Sequence, residues 1–209
     1  MSIDIPQGLR QQFARLLDEH AIVLDETTRT HMLDYCALIR QWNKKTNLTR
    51  ITDWQHMLTH HLLDSLLVIP YLTGKRYIDV GTGAGVPGIP LALAKPDLVI
   101  DLCECNSKKV RFLRHAAHQL KLKHTSVISQ RVACVEPEVL YDGVLTRAFA
   151  DLETIARECR HLLQPEGCII AWKGMGEVAS PTGFSLKTIE LNVPAIGNHR
   201  QLVIMRLED

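Results

Sequence analysis

Hydrophobic positions recur at helical spacing through the first third of the chain and at strand spacing beyond it. Leu9, Phe13, Leu16 and Leu17 make one apolar stripe at three- and four-residue steps. His31, Tyr35, Leu38 and Trp42 make a second, with Met32, Cys36 and Ile39 beside them. Asp25 or Thr27 stands where that helix needs an N-cap. A third helix is expected from about His56 to Ile69, ended by Pro70. No strand signal precedes Tyr77. From there short β-type runs alternate with helical stretches. Strands are expected at Tyr77–Val80, Leu98–Cys103, Thr125–Ser129, Gly143–Thr146 and Cys168–Lys173, with helices near Gly88–Ala94, Ser107–Lys121 and Leu152–Leu163. This alternation implies βαβ units and a mostly parallel sheet with helices on both faces. Lys187, Ile189, Leu191 and Val193 alternate with polar residues, Gly197-Asn198 reads as a turn, and Gln201–Leu207 completes a closing antiparallel hairpin. The expected layout is an N-terminal helical extension over residues 1–74 and an α/β domain over residues 75–209.

Composition narrows this picture. The chain has 209 residues, 46% of them hydrophobic, enough to bury a full core. No apolar run is long enough to span a bilayer, and the N-terminus lacks a basic region followed by an apolar segment. The six cysteines are spread through expected core elements and read as reduced thiols in a cytosolic protein. Cys103-x-Cys105 has no second ligand pair, so no metal is expected. With a net charge of only +1, any RNA contact must come from a local patch.

The stretch from Tyr77 to Gly88, Tyr-Ile-Asp-Val-Gly-Thr-Gly-Ala-Gly-Val-Pro-Gly, carries the strongest chemical signal. An apolar run feeds a glycine-dense turn and then a helix start. Bare glycines let backbone N–H groups approach a ligand, and the helix N-terminus favours negative charge. A dinucleotide fingerprint requires a glycine where Val86 stands, and a P-loop requires a closing Gly-Lys-Ser/Thr that is absent. What remains, Asp-x-Gly-x-Gly-x-Gly, marks Asp79, Gly81, Thr82, Gly83, Gly85 and Val86 as cofactor-binding candidates and is similar to the first motif of S-adenosylmethionine-dependent methyltransferases. Asp79 reads either as a strand-end cap or as a carboxylate near the ammonium of the methionine moiety; the glycine array favours the second. Glu104, roughly 20 residues on at the next strand end, is placed to accept both ribose hydroxyls. Asp101 competes, but it lies inside the strand run.

Thr146-Arg147-Ala148-Phe149-Ala150 follows the fourth strand, the usual catalytic position of this layout. It has neither the Asn/Asp-Pro-Pro-aromatic pattern of exocyclic amine methylation nor a nucleophilic cysteine for pyrimidine C5 chemistry. Guanine N7 already carries a free lone pair, so its methylation needs mainly proximity, alignment and field. Arg147 is the catalytic candidate and a candidate partner for the cofactor carboxylate or an RNA phosphate. In the helical region Asn43, Lys44, Lys45, Asn47 and Arg50 crowd one short stretch after Trp42. That cluster reads equally as an RNA-contact patch or as a polar turn whose amides satisfy backbone groups. His61 and Asp64 share a helix face. The basic positions Arg111, Arg114, His118 and Lys121 read mostly as a solvated face. Lys173 is an equal choice between RNA contact and surface cation, and Arg200 joins it as a candidate.

Trp42-Asn43 with Asn47-Leu48-Thr49, His61-x-x-Asp64-Ser65, the loop from Asp79 to Pro90, Ser107–Leu113, Arg147–Ala150, Lys173-Gly174 and Arg200–Val203 occur together in this order. In combination they resemble the glucose-inhibited division protein B family of bacterial 16S rRNA methyltransferases over nearly the whole chain. The resemblance implies a class I, Rossmann-like methyltransferase fold with a seven-stranded, mostly parallel sheet. It implies transfer of a methyl group from S-adenosylmethionine to N7 of one guanosine in the decoding region, with an effect on streptomycin sensitivity. Cofactor contacts at Gly81, Val86, Glu104, Val132, Ala133 and Arg147 are implied, and a partner that is 16S rRNA or the small subunit. A DNA partner is not implied, and nothing requires more than a monomer. Relatives commonly carry an acid where this chain has Ala133, so only backbone contact to the adenine is expected there. Two other readings are a nicotinamide-dependent oxidoreductase, which Val86 opposes, and an RNA-binding assembly factor without catalysis, which the intact glycine loop, Glu104 and Arg147 oppose.

Overall fold

The computed structural model describes residues 5–147, 149–191, 193 and 200–208. Seven strands form one sheet: β1 (Arg76–Val80), β2 (Val99–Cys103), β3 (Thr125–Ile128), β4 (Tyr141–Arg147), β5 (Leu163–Gly174), β6 (Phe184–Leu191) and β7 (Arg200–Leu207). Their order is β3-β2-β1-β4-β5-β7-β6. The first five are parallel, and β7 runs antiparallel between β5 and β6. The central strands are near-continuous apolar runs because helices cover both faces. Ile78, Ile100, Leu102, Val144, Leu145, Ile169 and Ile170 are fully buried. The expected β5 starts at Cys168, where the continuous ladder with β4 does begin; Leu163 pairs with Tyr141 ahead of a register shift. The expected Gly197-Asn198 turn lies outside the described residues.

Helix α7 (Leu152–Cys159) packs on one face of the sheet with Ile78, Val144 and Ile169. The opposite face carries α5 (Gly88–Ala94) and α6 (Ser107–Gln119). Over these lie α1 (Leu9–Glu19) and the 21-residue α2 (Glu26–Thr46). Phe13, Leu17, Met32 and Ile39 belong to the same buried cluster as Ile89, Leu102 and Phe112. Asp25 is the cap of α2, accepting from the Thr28 amide at 2.7 Å. The deepest stripe of that helix is Met32, Tyr35, Cys36 and Ile39, one residue round from the stripe centred on His31 and Trp42. Trp42 stays half-buried against Phe112 and His115 of α6.

The expected third helix is three pieces. A short α3 (Trp54–His56), capped by Asp53, leads into a π-helical segment over Met57–Leu63 and then α4 (Asp64–Leu66). Pro70 sits in a 3₁₀ turn over Ile69–Tyr71. No helix among the described residues is long and apolar enough to cross a membrane.

Candidate active site

Sheet order reverses between β1 and β4: β2 and β3 lie to one side of β1, and β4 and β5 to the other. A crevice outside the carboxyl ends of strands at such a point is the ordinary ligand position of open α/β sheets. Three strand ends meet there: Glu104 after β2, Asp79 and the glycine loop on β1, and Arg147 ending β4.

Asp79 is fully buried. Its Oδ2 accepts from the Thr82 hydroxyl at 2.5 Å and from the Gly88 amide at 2.8 Å, so one carboxylate oxygen ties both ends of the loop. A Cβ on Gly88 would lie 2.3 Å from Leu102 and 2.8 Å from that oxygen, which is why only glycine fits. Asp79 Oδ1 is buried without a partner among the described residues. Burial raises the Asp79 pKa to about 7, against the lowering pull of Thr82, Gly88 and Arg147. Gly81, Gly83 and Gly85 all have positive φ, at 66°, 61° and 93°. The Gly85 and Val86 amides donate to the Thr82 carbonyl, closing the turn.

Glu104, 7% exposed, braces this loop from β2. Its Oε2 accepts from the Gly83 amide at 3.1 Å, and its Oε1 accepts from the Asn106 amide at 2.9 Å. Lys109 lies 3.8 Å away. Glu104, Gly81 and Val132 line a cavity of about 410 Å³ with Gln130, Lys109 and Phe149. Val132 is buried in a 3₁₀ turn, whereas Ala133 is exposed beside it. Asp101 is engaged elsewhere, accepting from Tyr141 at 2.8 Å and from Arg76 at 3.0 Å.

Arg147 lies outside the lining of that cavity. Its Nη1 donates to Asp64 Oδ2 at 2.8 Å and to the His60 carbonyl. Arg200 Nη1 donates to the same Asp64 oxygen at 2.6 Å. Asp64 is fully buried, and burial raises its pKa despite the two arginines. Burial also lowers the Arg147 pKa, and Asp64 opposes that shift. His61 beside it is pushed down to about 3 by burial and by Arg147, so it is neutral. Tyr35 of α2 reaches the glycine loop from the same side, donating to the Ala84 carbonyl at 2.7 Å.

The basic cluster resolves into two kinds of residue. Asn43 is used internally: its Oδ1 accepts from the Leu48 and Thr49 amides, and its side-chain amide donates to the Thr49 carbonyl. Lys44, Lys45, Asn47 and Arg50 are exposed. Lys173 donates to the Ala150 carbonyl, and Arg200 is held by Asp64. Sequence reasoning did not select Asp64, Lys109 or Phe149 for the site. Asp64 had only its helical spacing from His61, and Phe149 was visible only as a neighbour of Arg147.

Relatives decide the family. A family model described as GidB: rRNA small subunit methyltransferase G matches residues 28–199. The chain belongs to the rRNA small subunit methyltransferase G family. A ribosomal RNA small subunit methyltransferase G from Salmonella arizonae is 43% identical over 93% of this chain and 97% of its own length. One from Klebsiella pneumoniae is 40% identical over the same shares. Among solved structures, a SAM-dependent methyltransferase from Aquifex aeolicus superimposes with a TM-score of 0.59 over 78% of this chain and 97% of that one, at 14% identity. At that identity the likeness shows the fold, a class I methyltransferase sheet. The family assignment rests on the sequence relatives. Among the described residues, no three His, Cys, Asp or Glu side chains gather to hold a metal ion in this family member.

Proposed function

We propose that this protein transfers a methyl group from S-adenosylmethionine to N7 of a guanosine in small-subunit ribosomal RNA. The observation that carries the reading is the Asp79–Glu104 bracket around a glycine loop, in a chain of the methyltransferase G family. The residues fit the cofactor. The orphaned Asp79 Oδ1 is a free acceptor whose carboxylate form an ammonium group would favour, and Glu104 lines a cavity with acceptor capacity for ribose hydroxyls. Val132 offers an apolar wall for the adenine, with Ala133 contributing backbone alone. Bound there, S-adenosylmethionine supplies an electrophilic methyl on its sulfonium sulfur.

The protein's own residues then hold and align. Asp79 and Glu104 would hold the two ends of the cofactor, and Arg147 supplies positive charge at the β4 end. No general base is required, because N7 is unprotonated and attacks directly along the methyl–sulfur axis. Lys44, Lys45, Asn47 and Arg50, all exposed, are the RNA-contact residues in this reading, and residues 1–74 are its RNA-facing part. Lys173 and Arg200 support the site from within, and Asn43 closes the turn after α2.

The test uses small subunits from a strain lacking this enzyme, methyl-labelled S-adenosylmethionine and the purified full chain. The expected product is one N7-methylguanosine in the small-subunit RNA, located by mass mapping. Absence of label, or label on another base or atom, would overturn the reading.

A further inference from the structure

Arg147 is held by one end of its guanidinium. Both of its hydrogen bonds to the described residues use Nη1, one to Asp64 and one to the His60 carbonyl. A guanidinium presents its donors as a rigid fork, so fixing Nη1 fixes where Nε and Nη2 lie. The anchor is built from three distant segments. Asp64 comes from the N-terminal helices, Arg147 from β4 and Arg200 from β7. Asp64 is itself immobilised, since its carbonyl accepts from Trp172 Nε1 of β5 at 3.2 Å.

The backbone before Asp64 is shaped to the same end. In the π-helical turn the Asp64 amide reaches five residues back to the Thr59 carbonyl. The His60 carbonyl in that turn accepts from Arg147, and the His61 carbonyl accepts from the Ser65 hydroxyl. Single π-turns inside helices concentrate at functional sites. Stability alone does not account for the cluster. A buried ion triad generally stabilises no better than apolar packing of the same volume. Its fully buried carboxylate also keeps one oxygen, Oδ1, without a partner among the described residues.

We propose that Asp64, with Arg200 sharing its Oδ2, is a positioning residue for methyl transfer: it pins Arg147 by Nη1 so that the Nε–Nη2 edge is presented to an oxyanion of the bound reactants. The oxyanion is a carboxylate or a phosphate, and both take the same forked donor. This rests on the methyl-transfer reading above.

The test measures cofactor affinity by calorimetry, single-turnover transfer to small subunits and melting temperature, on full-length wild type, Asp64→Asn, Arg147→Ala and the double variant. Asp64→Asn is expected to lose on the order of 10- to 100-fold in transfer or in affinity. The double variant is expected to be no worse than Arg147→Ala within about twofold, because residues acting as one unit give non-additive losses. Weakened cofactor binding without RNA identifies the carboxylate as the oxyanion. Unchanged cofactor binding with a raised KM for the subunit identifies the phosphate. A folded Asp64→Asn with wild-type affinity and rate would overturn the proposal, and so would losses that multiply in the double variant. If Asp64→Asn does not fold, Asp64→Glu is read against Arg147→Ala by the same criterion. Wild type that binds the cofactor but methylates nothing would defeat the functional reading alone. In that case the affinity comparison alone judges Asp64, and a folded Asp64→Asn that binds the cofactor as wild type does overturns the proposal.

Discussion

The two halves of the candidate site are built by opposite strategies. The half under β1 and β2 is local. Asp79, Thr82, Gly83 and Gly88 lie within ten residues of one another, and Glu104 joins from the neighbouring strand. The half under β4 is assembled across the chain: Asp64 lies 83 residues from Arg147 and 136 from Arg200. The local half is held mainly by backbone amides on carboxylate oxygens. The assembled half is held by side-chain ion pairs. Damage to the first should therefore act on cofactor binding through the loop backbone, and damage to the second on whatever oxyanion Arg147 holds, or on the N-terminal helices.

The largest effect that separates the halves is expected from Gly83→Val. The residue has a φ of 61°, which a β-branched side chain rarely adopts, and its amide serves Glu104. Cofactor affinity measured by calorimetry should fall by more than about 100-fold while the fold persists. An unchanged affinity would show that this half does not bind the cofactor. Next is Arg147→Ala, for which single-turnover transfer should drop by about 100-fold in a folded protein. A normal rate would move the chemistry away from β4.

A pH experiment tests Asp79. Its folded-state pKa is raised, to about 7 from 3.8, so the neutral carboxyl is the form that suits the ligand-free fold. The contribution to stability is full below about pH 4 and is lost as pH rises through about 7. A bound ammonium group favours the ionised form. Cofactor affinity should therefore strengthen as pH rises towards 7, with proton release visible as a buffer-dependent binding enthalpy. A flat profile would detach Asp79 from the ligand. The smallest effect is expected for Tyr35→Phe, which removes the bond to the Ala84 carbonyl. It should lower unfolding free energy by about 1 kcal/mol, read from denaturant melts. A loss no larger than experimental error would show that the loop does not lean on α2.

What could be read from the sequence follows the same division. The order of strands and helices was legible because the period of the apolar positions changes at Tyr77. The placement of Asp79 and Glu104 against the glycine loop was legible because both sit at fixed offsets from it. The Asp64 anchor was not, because nothing local to His61 or Arg200 names a partner that far away. The π-helical turn had no local signature either, since the apolar positions of Met57–Leu63 read equally well as an α-helix. Asn43 was balanced between two roles, and its three bonds to Leu48 and Thr49 place it in the turn. The neighbouring lysines face solvent, where spacing alone assigns no partner.

The N-terminal helices bury Phe13, Leu17 and Met32 in one cluster with the sheet, and that has a consequence for how the protein can vary. A segment with its own core can be lost, swapped or grafted as a cassette. Helices that complete another element's core cannot, so a fragment starting at residue 75 should expose a greasy face and aggregate rather than yield a smaller enzyme. Heat should melt the whole chain in a single step, and a ligand at the glycine loop should slow amide exchange as far away as α2.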